Sequence, residues 1–207
     1  MGALRLAAGL RCGSLHARLP LLALLLGACV QAPSSGFDPA ATQVALQRMR
    51  FAVEAVCLNN TTRAAQERAI RALGFPERDE QGDVTFFVNP ATLTFVQLVR
   101  RSPDLGFVEP DGTRRVVRGP ACGVGSPAVD VAQANRLVGE ILAPRLVEGD
   151  RTVARPVAVG ENADRGFGFL FEGLAMTVLR VGDVTFTDGA GRAQRFVYPV
   201  ILVVRDR

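Results

Sequence analysis

Three observations predict an α+β fold with a largely antiparallel sheet and about three helices packed on it. Apolar residues recur at helical spacing in two early stretches and one later stretch. From Asp83 onward the apolar period shortens to two. The strand-like runs then follow one another through short turns instead of alternating with helices, which is the α+β order rather than the βαβ order.

The elements can be justified in turn. Asp38-Pro39 opens the first helix, with Asp as N-cap and Pro at the first helical position. That helix is expected to run to about Leu58, with Leu46, Met49, Val53, Val56 and Cys57 on one stripe. Residues 59–62 (NNTT) break the chain and cap it again. A second helix, near 62–73, is expected to carry Ala65, Ala69, Ala72 and Leu73 inward and Glu67 and Arg71 as an i,i+4 pair outside. Gly74 and Pro76 end it. Residues 84–88 and 93–99 read as strands around Asn89-Pro90. Residues 105–108 and 114–118 read as strands flanking Pro110-Asp111-Gly112, where Pro presets φ and Gly accepts a positive φ. A Gly-rich strand to Val124 leads to a third helix from Ser126-Pro127. Its inward face is Val131, Ala134, Leu137, Val138, Ile141 and Leu142, and its stop is Pro144. Residues 145–164 read as irregular. Strands follow at 166–171, 175–181, 184–187 and 196–204, and Pro199 within the last suggests a sheet edge or a bulge. Gly82-Asp83-Val84-Thr85-Phe86 recurs as Gly182-Asp183-Val184-Thr185-Phe186, which sets two similar α-then-β halves beside the simpler reading of one α+β domain over 38–207.

The N-terminus gives an address. Residues 1–18 hold Arg5, Arg11 and Arg18 and no acid, and residues 19–30 are almost wholly apolar. That run is far short of the roughly 20 residues that span a bilayer core, and a basic segment before a short apolar one is the pattern of a cleaved signal peptide. It ends Leu26-Gly27-Ala28-Cys29, which resembles the lipobox of bacterial lipoproteins. The resemblance implies cleavage after residue 28 and acylation of Cys29, for example by palmitate, so that the membrane is a partner through a lipid anchor. Val30 stands where lipoproteins kept at the inner membrane commonly carry Asp, so the same resemblance implies the outer membrane, periplasmic face. Residues 30–37 (VQAPSSGF) read as a flexible tether. They reach at most about 28 Å when extended, so the domain would sit close to its membrane.

Loss of the leader changes the chemistry. Removing Arg5, Arg11 and Arg18 takes the formal charge from +4 to +1, which leaves no basic excess to argue for nucleic acid. All basic residues are Arg, there is no Lys, and the one His is His16 in the leader. A Ser-His-Asp triad, a Cys-His pair, an imidazole base, a Lys Schiff base and His-ligated zinc or haem are therefore excluded from the mature chain. No metal or cofactor is expected. Two carboxylates suffice for glycoside hydrolysis, so an enzyme acting on envelope glycans stays open as the alternative. Cys12 leaves with the leader and Cys29 carries lipid. The remaining pair, Cys57 and Cys122, is expected to be a disulfide in an oxidising compartment.

Three further motifs have plainer explanations. Residues 165–172 (RGFGFLFE) resemble the RNP1 strand of RNA-recognition motifs, which implies base stacking by Phe167, Phe169 and Phe171. Their alternation instead assigns all three to one sheet face and the core, and strand signals follow them where the motif's fold needs α-β. Residues 123–128 (GVGSPA) resemble the dinucleotide fingerprint, with Glu140 or Glu148 as ribose acid, but fit a tight strand-to-helix turn as well. Arg100, Arg101, Arg114, Arg115 and Arg118 read as a solvated face rather than a headgroup site. No catalytic set assembles. The expectation is an envelope lipoprotein domain that binds an unknown envelope protein or glycan, or supports the envelope, without catalysis.

Overall fold

The computed structural model describes residues 37–102, 104–108, 111–147, 155–159, 167–171, 173–187 and 193–205. Residues 1–36, including Cys29, the leader and all but the last residue of the tether, lie outside them. The fold is α+β with an antiparallel sheet, as the periodicities predict.

Helix α1 (Pro39–Ala52) starts where Asp38 accepts a hydrogen bond from the Ala40 N–H at 2.9 Å. It runs into a π-helical segment, Val53–Leu58. The expected stripe is real: Met49, Val53, Val56 and Cys57 are fully buried. Helix α2 (Arg63–Ala72) is capped by the Thr62 hydroxyl. Its buried anchor is Ile70, with Ala69 and Leu73 packed beside it; Ala72 faces solvent, against expectation. The predicted pair Glu67–Arg71 is present at 4.0 Å, and Arg63 lies nearer to the same carboxylate at 3.1 Å.

Among the described residues ten strands follow: β1 (Glu77–Gln81), β2 (Val84–Asn89), β3 (Thr94–Val99), β4 (Leu105–Val108), β5 (Arg114–Val117), β6 (Ala121–Gly125), β7 (Arg155–Val159), β8 (Phe167–Phe171), β9 (Leu174–Thr187) and β10 (Ala193–Arg205). They form one sheet in the order β1-β2-β3-β6-β10-β9-β8-β7-β4-β5, antiparallel at every pairing. Helix α3 (Val131–Val147) lies between β6 and β7 in the chain.

The sheet corrects several expectations. Strand β1 was not foreseen, because its sequence ERDEQ has no apolar alternation; all five residues are exposed at the sheet edge. Strand β7 falls inside the stretch read as irregular. Strand β9 runs without a break through Gly182. The two copies of Gly-Asp-Val-Thr-Phe therefore occupy unlike places, a hairpin turn into β2 and the middle of β9. Pro199 sits beside a register shift at Phe196/Tyr198, but β10 is central, so the proline marks an irregularity and not an edge. Helix α3 begins five residues later than Ser126. Asp130 and Gln133 exchange reciprocal bonds, Gln133 N–H to Asp130 Oδ1 at 2.7 Å and Asp130 N–H to Gln133 Oε1 at 2.9 Å, a capping box that fixes the start. Val131 is consequently exposed, while Ala134, Leu137, Val138, Ile141 and Leu142 are buried as expected. Pro144 lies inside the helix instead of ending it.

Both sheet faces are covered over much of their area. On one face Val96, Leu98, Val124, Met176, Val178, Ile201 and Val203 pack with α1, the π-helical segment and α3. On the other, Val99, Ala121, Ala175, Leu202 and Val204 pack with Leu105, Phe107 and Val117 of β4 and β5. The sheet thus curls until its β4–β5 end covers β3, β6 and β10. This explains why residues 200–204 of β10 are apolar without alternation: both faces are dry.

Candidate functional site

Beside the patch that β4 and β5 cover lies another corner of the sheet, where Phe95, Tyr198 and Val200 are buried and Phe86 and Val88 are half-buried. There Phe86 and Val88 (β2), Phe95 (β3) and Tyr198 and Val200 (β10) form a separate apolar cluster. The registers place them on one face: Val88 opposes Phe95, Phe95 opposes Gly125, and Gly125 opposes Val200. The ring of Phe95 meets Tyr198 edge to face, centroids 5.2 Å apart at 75°, and Phe86 tilts against Phe95 at 6.4 Å. A concavity of about 510 Å³ is lined by Phe86, Val88, Phe95 and Tyr198 of this cluster.

Glycine makes the ring packing feasible. A Cβ on Gly125 would stand 2.3 Å from Phe95 Cζ and 2.9 Å from the Pro199 carbonyl oxygen. A Cβ on Gly123 would stand 2.6 Å from the Gln97 side chain. The glycines of the fingerprint-like stretch therefore let β3 side chains lie across β6. They do not form a phosphate-binding turn, and α3 starts well after them.

The concavity is mostly apolar, and most of the polar groups on its walls are bonded internally. Asn89 donates to the Gly74 carbonyl at 2.8 Å and accepts from the Thr92 N–H at 3.2 Å. The Thr94 and Thr92 hydroxyls bond each other at 2.7 Å. The Gln81 amide donates to Asp79 Oδ2 at 2.7 Å. Glu77 and Asp79 remain, exposed on β1 at the rim. Burial pushes the Tyr198 phenol above its usual 10.0. The hydroxyl thus stays protonated well past neutral pH, and the trough floor carries no charge of its own.

A second concavity, about 360 Å³, adjoins the disulfide and is lined by Arg63, Arg100 and Arg205. Two of these cations have structural work. Arg205 Nη2 donates to the carbonyls of Cys57 and Leu58, both at 2.9 Å, and of Asn60 at 3.4 Å, tying the end of β10 to the end of the π-helical segment. Burial lowers the pKa of that guanidinium. Arg63 bonds Glu67, the Leu98 carbonyl and the Thr85 hydroxyl.

The residues singled out in the sequence fall as follows. Cys57 and Cys122 form a disulfide with Cα atoms 5.4 Å apart, joining the π-helical segment to β6. Cys29 is outside the described residues. Phe169 is partly buried against the helix-side core, and Leu170 is buried on the opposite face; the side chains of Phe167 and Phe171 lie outside the description. Arg100, Arg101, Arg114, Arg115 and Arg118 are exposed, with Arg118 paired to Asp104 at 2.9 Å. Among the described residues no group of His, Cys, Asp and Glu is placed to hold a metal, and no helix is long and apolar enough to cross a membrane. No acidic side chain among them is buried. The aromatic trough itself was missed by sequence reasoning. Its only signal was a Phe95 and a Gly125 whose partnership depends on the strand order. No family model matches the chain, and neither a curated protein nor a solved structure does.

Proposed function

We propose that this chain is an exported, lipid-anchored, non-catalytic binding domain, acylated at Cys29, facing the periplasm from the outer membrane, with the aromatic trough as its binding surface. The observation that carries the reading is the trough: a concavity lined by Phe86, Val88, Phe95 and Tyr198, of which Phe86 and Val88 are half-buried. Concave, mostly apolar surfaces with a few placed polar groups are the usual form of binding sites. The disulfide fits an oxidising compartment, and the lipobox resemblance supplies the anchor.

Binding is favoured over glycan cleavage by the state of the carboxylates. A general acid working near neutral pH needs a desolvated carboxyl group. Glu77 and Asp79, the acids beside the trough, are both exposed on an edge strand. The test is photo-crosslinking in intact cells from a reactive residue at position 88, with position 47 on α1 as control. A discrete adduct from position 88 alone is expected. Absence of any position-88 adduct would remove the trough as a binding surface.

A further inference from the structure

We infer that the trough takes an extended, basic and apolar segment of a partner protein, a conclusion that rests on the trough being a binding surface. The charge on β1 is divided between its two faces. Arg78 and Glu80 point to the helix side, where they pair with each other and Arg78 lies 6.0 Å from the Phe87 ring centroid. Glu77 and Asp79 point to the trough side. No Arg lines the trough among the described residues, so none of them balances these two negative charges.

The polar groups decide between ligand classes. A neutral glycan stacks on aromatic rings but also needs directional donors and acceptors around them. Here Asn89 is bonded to the Gly74 carbonyl and the Thr92 N–H, the Thr94 hydroxyl to that of Thr92, and the Gln81 amide to Asp79. An anionic lipid headgroup or phosphate would meet Glu77 and Asp79 and, among the described residues that line the trough, no cation. A basic side chain meets both carboxylates, and an aliphatic neighbour fills the floor over Phe86, Val88, Phe95 and Tyr198. Strand β1 also ends the sheet order, so alternate residues direct backbone N–H and C=O groups outward. An extended segment can pair with that edge while opposite charges lie across from each other on the trough face.

Tyr198 provides the readout, because the chain has one Tyr and no Trp. The full chain, as cells produce it, is titrated with a short blocked peptide alternating Arg and Leu, and Tyr198 emission is followed. Parallel titrations use the same peptide with Glu in place of Arg, and a cell-wall disaccharide-peptide fragment. A saturable emission change with the Arg peptide is expected. Binding should weaken about tenfold in the doubly substituted Glu77→Gln, Asp79→Asn chain, as expected for two partly exposed charge pairs. Both positions are exposed, so an unchanged melting temperature shows that the variant is folded. Equal affinity for the Glu peptide, or unchanged affinity in the double variant, overturns the inference. A response to the cell-wall fragment alone overturns it too, yet leaves the trough a binding surface. If no probe binds while crosslinking from position 88 still yields an adduct, the inference fails and the binding reading stands. If crosslinking also fails, both fall.

Discussion

Reduction of the Cys57–Cys122 bridge is expected to cost the domain about 4 kcal/mol, the chain-entropy value for a loop of this length. The bridge closes a sequence separation of 65 residues. It encloses α2 and β1 to β5, so nearly half of the sheet order is constrained in the unfolded chain by one covalent link. The comparison should be made between oxidised and reduced forms of the same chain. Both half-cystines are buried, and substituting them would add a packing loss to the loss of the link. Denaturant unfolding with and without reductant measures the difference. A change under about 1 kcal/mol would mean that the unfolded chain is already restrained over this loop. Alkylation of both thiols in unreduced, denatured protein would show that the link is absent.

Placing a methyl group at Gly125 is expected to cost about 3 kcal/mol, at the upper end for overpacking. The new Cβ would meet the Phe95 ring and also a backbone oxygen, that of Pro199. The ring can turn away, but the carbonyl is held in β10. Gly125→Ala should therefore lower stability and also change Tyr198 emission, since Phe95 would have to leave its edge-to-face contact. Adding Phe95→Ala should recover only part of the spacing, because the Pro199 contact remains. A Gly125→Ala chain as stable as the parent, with unchanged emission, would contradict the packing described for the trough floor.

These two sites show what local sequence can and cannot specify. The disulfide was legible because elimination left two thiols and the helical stripe put Cys57 inward. Gly125 was misread because its function depends on Phe95, a neighbour only after β3 and β6 pair. The helices were legible from their caps and stripes, but the start of α3 was misplaced. Ser126-Pro127 looks like a cap, whereas the Asp130–Gln133 box satisfies the first turn with two bonds. Strand β1 was illegible for a related reason. An edge strand facing water on both sides needs no apolar alternation, and charges along it oppose uncontrolled pairing. The expected break at Gly182 arises because Gly-Asp reads locally as a turn, whereas Gly182 and Asp183 fall at a register shift against β10 and pairing resumes at Val184. The trough joins residues from 77 to 198, and only the order of strands brings them together.

The proposed membrane attachment rests on one residue, and the mass of the N-terminal peptide of the chain recovered from cells tests it most directly. The expected peptide begins at Cys29 and carries acyl chains, and Cys29→Ser is expected to abolish both the added mass and membrane attachment. An unmodified N-terminus at another position in the parent chain would contradict it.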